Sequence, residues 1–158
     1  MRDKSLRSGE RQVAQTLQGV EEWHRWRYLE TLKYIEGKDV LDVGCGVGYG
    51  SYIMAENAKS VFGLDDSQEA IDQAWEYFVG GNINYYCCDF LKVKIEALST
   101  QNALVAFEVI EHIQDTEPVF KKFKELDPEL IIISTPHRIT PMGGNEFHFG
   151  LEKVLNSG

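Results

Sequence analysis

Val40-Leu41-Asp42-Val43-Gly44-Cys45-Gly46-Val47-Gly48-Tyr49-Gly50-Ser51 decides the fold of this chain. It begins as a short apolar run, breaks into alternating glycines and continues in a helical pattern. The pattern predicts a strand over 39–43 and a helix over about 49–57. A strand, a glycine turn and a helix N-terminus together form a cradle. Backbone without side chains lets a ligand approach closely, and the first N–H groups of the helix face it. The register narrows the ligand. A dinucleotide loop needs G-x-G-x-x-G, but counting from Gly44 puts the third glycine on Tyr49, and from Gly46 on Ser51. Nicotinamide and flavin readings therefore weaken. A phosphate loop needs G-x-x-x-x-G-K-[ST]; its second glycine also falls on Tyr49, and no Lys-Ser or Lys-Thr follows. What remains is D-x-G-x-G-x-G, with Asp42 two residues before the first glycine.

Three further segments carry chemistry. Ser60-Val61-Phe62-Gly63-Leu64-Asp65 reads as a strand ending in a carboxylate, about 20 residues beyond the glycine loop. A βαβ unit places an acid against a ribose at that spacing. The competing role, a cap for the next helix, can be filled by Asp66 or Ser67 with Glu69 in the first turn. Ile83-Asn84-Tyr85-Tyr86-Cys87-Cys88 reads as a strand followed by Asp89-Phe90, where Asp89 is otherwise an ordinary turn residue. Ala103-Leu104-Val105-Ala106-Phe107 is an apolar strand running into Glu108-Val109-Ile110-Glu111-His112-Ile113. On a helix Glu108, Glu111 and His112 share one face, with Val109, Ile110 and Ile113 turned to the core.

Taken together, these separated motifs resemble the class I, Rossmann-like S-adenosylmethionine-dependent methyltransferases, and D-x-G-x-G-x-G is similar to their motif I. The resemblance implies S-adenosylmethionine as cofactor. It implies a cradle of Asp42, Gly44, Cys45, Gly46 and Gly48, with Asp65 on the ribose hydroxyls. It puts Asp66 where the family often has an apolar residue against adenine, Asp89 on the exocyclic amine and Phe90 over the ring. Phe107 and Glu108 line the methionine end. His112, Glu111 and His148 are the catalytic candidates, with His137 behind them. An alternative is a metal site of Glu108, Glu111, His112 and His148, as in the small-RNA 2′-O-methyltransferases, whose fifth-strand sequence Ile133-Ser134-Thr135-Pro136 also resembles. A third reading makes the Glu108–Ile113 string structural. The Asn/Asp-Pro-Pro-aromatic motif of DNA amino-methylating enzymes is replaced by Phe107-Glu108-Val109-Ile110, which disfavours that activity.

At 158 residues the chain is long enough for one cored domain. Its net charge of −9 argues against a general polyanion binder. Lys121, Lys122 and Lys124, like Arg2, Lys4, Arg7 and Arg11, read as solvated faces. No leader pattern and no bilayer-spanning apolar run is present. Cys45, Cys87 and Cys88 read as reduced thiols of a cytoplasmic protein, Cys87 and Cys88 pointing to opposite faces of a strand.

Strands near 39–43, 60–64, 83–88, 103–107 and 130–134 alternate with helices near 49–57, 67–79 and 117–126. This predicts an α/β fold, Rossmann-like and doubly wound, with a mostly parallel sheet and helices on both faces. Ahead of it, Glu21-Glu22-Trp23-His24-Arg25-Trp26-Arg27-Tyr28-Leu29 begins a helix reaching about Ile35. Trp23, Trp26 and Tyr28 are expected to pack it on the sheet; in the resembling family His24, Arg27 and Tyr28 match an H-x-x-R-Y pattern that lids the cofactor. Residues 1–20 are expected to form a mobile arm and 21–158 the S-adenosylmethionine-binding methyltransferase domain. The chain is expected to be shortened at its C-terminus and to lack the usual C-terminal antiparallel hairpin, with residues 151–155 beginning a helix. That leaves the fifth strand as an exposed edge, an association hazard, so a homodimer is expected. The function expected is methyl transfer to an O- or N-acceptor, a small molecule or nucleic acid, with no membrane partner. The alternatives are a metal-assisted RNA 2′-O-methyltransferase and a non-catalytic S-adenosylmethionine-binding scaffold or regulatory subunit.

Overall fold

Each of the five expected strands forms. The computed structural model describes residues 12–98, 100–135 and 152–154. Strands β1 (Asp39–Val43), β2 (Ser60–Asp65), β3 (Ile83–Cys87), β4 (Ala103–Phe107) and β5 (Leu130–Ser134) are parallel, and β6 (Glu152–Val154) runs antiparallel to β5. Helices α1 (Glu22–Ile35), α2 (Tyr49–Met54), α3 (Gln68–Tyr77) and α4 (Glu117–Leu126) connect or flank them. The strand order is β3-β2-β1-β4-β5-β6. The chain winds outward from β1 to β3, then returns to place β4 on the other side of β1. The carboxyl ends of β1 and β4 therefore splay at a topological switch point, where open α/β sheets bind ligands.

Strand parity explains both layers. Val40, Val61, Ile83, Val105 and Ile132 face one core, shared with Ile53 of α2 and Ile71 of α3. Leu41, Val43, Leu64, Leu104 and Ala106 face the other, with Val119 and Phe123 of α4. A parallel strand buried on both faces reads as a near-continuous apolar run, as β1 and β4 do, whereas the edge strand β3 alternates buried and exposed residues. Asp42 shares the parity of Val40 and so points beneath α2. Helix α3 starts where expected, with Ser67 Oγ accepting from the Ala70 amide at 3.3 Å.

Four expectations change. Residues 152–154 are a strand, not the start of a helix, paired in the register Ile131↔Val154, Ile132↔Lys153 and Ile133↔Glu152. The outer backbone groups of β5 from Ile131 to Ile133 thus find ladder partners, so β5 is not a bare edge; β6 is a single antiparallel strand, not a hairpin. The packed domain begins before residue 21, because Ala14 and Val20 are buried in the first core and Gln15 Nε2 donates to the Tyr77 hydroxyl at 3.1 Å. Trp26 does not pack on the sheet; it is 45% exposed. Lys122 is not on a solvated face but buried at 7% exposure. It shares the inward stripe of α4 with Val119 and Phe123, whereas Lys121 stays exposed.

Candidate functional site

A cavity of about 650 Å³ opens over the carboxyl ends of β1 to β4. Its floor is the glycine turn after β1. Gly46 adopts φ +56°, and a Cβ built there would meet no atom within 4 Å. The missing side chain therefore leaves open space on the cavity side, as a closely approaching ligand requires. Gly44 and Cys45 line the same floor. Gly48 does not; at φ +90° a Cβ would lie 2.8 Å from Ala74 Cβ and from the Tyr85 hydroxyl. Its role is to let the start of α2 approach α3 and β3.

Asp65 closes the end of β2 and lines the cavity. Its Oδ2 accepts from the Gly46 amide at 3.0 Å and its Oδ1 from the Ser67 amide at 2.9 Å. Two backbone donors hold the carboxylate in one orientation. Asp66, Asp89, Phe90 and Phe107 also line the cavity. Asp89 Oδ1 accepts from the Leu91 amide at 3.0 Å, capping the short 3₁₀ turn Phe90–Lys92. Asp42 is placed differently. It lies outside the lining, 1% exposed, and Ser51 Oγ donates to its Oδ2 at 2.5 Å. Burial pushes its pKa up to about 7, with the Ser51 hydrogen bond opposing and the charge of Asp65 adding to the rise. Asp42 thus supports the turn from below.

Helix α1 forms the opposite wall, with Trp23, His24, Arg27 and Tyr28 all lining the cavity. The Tyr28 ring sits where a Cβ on Gly50 would fall, 2.2 Å away, which locks α1 onto α2. Arg27 is 2% exposed; its Nη1 lies 2.8 Å from Glu108 Oε1 and donates to Ser134 Oγ at 3.3 Å. Ser134 Oγ in turn donates to Glu108 Oε1 at 3.3 Å. The guanidinium also stacks over Trp23, 4.7 Å from the ring centroid. His24 Nδ1 faces Arg27 Nη2 at 3.2 Å and the Tyr49 hydroxyl at 3.4 Å. Since guanidinium only donates, Nδ1 accepts and the ring proton sits on Nε2. Burial, helped by Arg27 and opposed by Glu21, lowers the His24 pKa to about 4, so the ring is neutral at pH 7.

The Glu108–Ile113 string is not an α-helix, so the helical face that would group Glu108, Glu111 and His112 does not exist. Glu108 adopts φ +55°, and only a 3₁₀ turn, Ile110–His112, follows. The side chain of Glu108 is turned back to Arg27. Glu108 and His112 line the cavity; Glu111 does not. Glu111 Oε1 stands 4.0 Å from His112 Nε2. Burial, with the neighbouring charge of Glu108, raises the Glu111 pKa to about 7. Among the described residues no three His, Cys, Asp or Glu side chains converge to hold a metal, and Glu108 already has a cation. His148 and His137 lie outside the described residues. Tyr49 was not singled out from sequence, yet it lines the cavity beside His24. Its position just beyond the glycines was the available signal.

An open α/β sheet with a glycine turn after β1 and a carboxylate at the end of the neighbouring β2 has the Rossmann-like architecture of the class I methyltransferases. The chain belongs to the methyltransferase domain family, which matches residues 41–126. It is 33% identical over 99 residues to a ubiquinone biosynthesis O-methyltransferase of Coxiella burnetii, a match covering 61% of this chain and 42% of that protein. It is 30% identical over 146 residues to a probable S-adenosylmethionine-dependent methyltransferase of Mycolicibacterium smegmatis, covering 84% of this chain and 56% of the relative. The fold superposes on a putative S-adenosylmethionine-dependent methyltransferase of Listeria monocytogenes with a TM-score of 0.63 at 26% identity, covering 73% of this chain and 52% of the other. The chain thus spans about half the length of the curated relatives it matches.

Proposed function

We propose that this domain binds S-adenosylmethionine and transfers its methyl group to an O- or N-acceptor. The observation that carries the reading is Asp65, clamped by the Gly46 and Ser67 amides beside a floor that is open at Gly46. In this reading Gly44, Cys45 and Gly46 admit the nucleoside, Asp65 takes its ribose hydroxyls, and Asp89 and Phe90 take the base. Asp66, Phe107 and Glu108 complete the walls, while Asp42 and Gly48 hold the turn in shape. The bound cofactor supplies an activated methyl group; the protein orients the partners and excludes water. Helix α1 performs the exclusion through Trp23, His24 and Tyr28.

Asp65→Ala is expected to weaken S-adenosylmethionine and S-adenosylhomocysteine binding roughly tenfold to a hundredfold in calorimetric titration, the worth of a charged hydrogen bond. Wild-type protein that takes up neither compound would overturn the assignment. Release of S-adenosylhomocysteine in a screen of tritiated methyl transfer into RNA, DNA, protein and metabolite pools separates an enzyme from a binding scaffold.

For proton removal from the acceptor, His112 is the candidate that lines the cavity, Glu111 stands behind it 4.0 Å from its Nε2 and would act through it, and His148 is the third candidate from sequence. With its pKa near 7, Glu111 becomes a better proton acceptor as pH rises through neutrality. Methyl transfer is then expected to rise over pH 6 to 8, and Glu111→Gln to slow it at least about tenfold at pH 8 while flattening that rise. An unchanged profile in the variant would assign the proton elsewhere.

The free thiols Cys45, Cys87 and Cys88 support a reducing, cytoplasmic setting. Among the described residues no helix is long and apolar enough to cross a membrane. The homodimer expected from a bare β5 edge loses that ground because β6 occupies it. The edge strands among the described residues are β3 and β6, and sedimentation at micromolar concentration tests whether two copies associate.

A further inference from the structure

A lysine on the apolar stripe of α4 supports the wall that faces the base. Lys122 shares its helical face with Val119 and Phe123 and is 7% exposed. Its Nζ donates to the Phe90 carbonyl at 2.5 Å and to the Val93 carbonyl. The same ammonium lies 5.0 Å from the centroid of the Phe90 ring, within cation–π range. The two carbonyls bracket the 3₁₀ turn Phe90–Lys92, which has no ladder to fix it between β3 and β4. Carbonyls at the end of a turn lack partners within it. A buried ammonium without hydrogen bonds is costly, so lysine and turn satisfy each other. The far side of that turn presents Asp89, Phe90 and Leu91 to the cavity.

We propose that Lys122 is a positioning residue for base recognition: it fixes the 89–93 segment so that Asp89 and Phe90 meet a 6-amino purine. The proposal rests on the cofactor reading above and adds to it a residue outside the cavity, on the opposite side of the turn. It acts through Phe90 and Val93 and touches no ligand itself.

The test compares S-adenosylhomocysteine with its analogue carrying a keto oxygen in place of the purine amine. Calorimetry on wild-type protein is expected to show about tenfold preference for the amine, the worth of one charged hydrogen bond. Lys122→Met is expected to reduce that preference to about twofold, and Lys122→Arg, which keeps a cation and donors, to restore most of it. Amide exchange without ligand gives a second reading. Leu91 and Lys92 should exchange about tenfold faster in Lys122→Met, with β1 unchanged. A merely structural lysine would lower stability throughout and leave the ratio intact. A preference that Lys122→Met keeps, or unaltered exchange at Leu91 and Lys92, would overturn the assignment. Wild-type protein that binds neither nucleoside would overturn the cofactor reading, and this one with it.

Discussion

Glu108→Gln is expected to lower the unfolding free energy by about 3 kcal/mol, although the substitution removes no atom from the fold's core. Arg27 is 2% exposed and faces Glu108 Oε1 at 2.8 Å. Removing one partner of a buried pair costs roughly 3–5 kcal/mol because the other charge stays uncompensated. The Glu108 side chain is 25% exposed, so solvent screens part of that loss and the lower end applies. The reverse substitution is expected to be milder. Arg27→Met keeps an unbranched apolar stem against Trp23 and leaves a carboxylate that water can reach, costing about 1–2 kcal/mol. The double variant should then lose about 1–2 kcal/mol less than the two singles combined. Urea unfolding followed by tryptophan fluorescence measures all four corners. Equal single effects that simply add would show that the pair contributes no coupling.

That asymmetry was invisible in the sequence, and the reason is physical. Strands β1 and β4 were legible because they are mostly apolar and buried on both faces, and β1, β2 and β4 run into a glycine or a carboxylate; β3, whose residues alternate buried and exposed, and β5, a Leu-Ile-Ile-Ile run, were legible from their β-forming residues alone. Asp65 was legible because the β2 end must face the turn after β1. Glu108 was not. Helical spacing grouped it with Glu111 and His112, but its left-handed backbone turns it toward Arg27, a partner contributed by α1 before the first strand. Arg27 itself stood in a legible H-x-x-R-Y pattern, yet nothing local marked its counter-charge. Lys122 was hidden differently. Its spacing from Val119 and Phe123 placed it inward, while its lysine neighbours suggested solvent. The deciding partners are the Phe90 and Val93 carbonyls, and backbone groups leave no residue-type signal. Strand β6, at three residues, is too short for any periodicity to announce it.

Asp42 shows the opposite case, a motif residue whose position was legible and whose task was not, and pH exposes that task. Its carboxyl is fully buried under the glycine turn, with a pKa raised to about 7 against an ordinary unfolded value near 4. A raised acid pKa means that the native state holds a proton the unfolded chain has lost. Stability from this group is therefore complete below about pH 4 and declines as pH rises through about 7. The full decline is on the order of 4 kcal/mol by pH 8. His24 tilts the other way. Its pKa is depressed to about 4, so its contribution is present above its unfolded value near 6.5 and is lost on acidification. The two slopes oppose each other between about pH 4 and 6.5, and a wild-type curve alone hides both. Comparison with Asp42→Asn separates them, because His24 and Glu111 titrate in both proteins. The asparagine keeps shape and can still accept from Ser51 Oγ, but it carries no charge to bury. The variant should match wild-type stability near pH 4 and exceed it increasingly up to pH 8, where the gap approaches the full decline. Parallel urea midpoints across that range would mean that Asp42 is charged at neutral pH and held by donors other than Ser51. A widening gap would identify a neutral acid beneath the glycine turn.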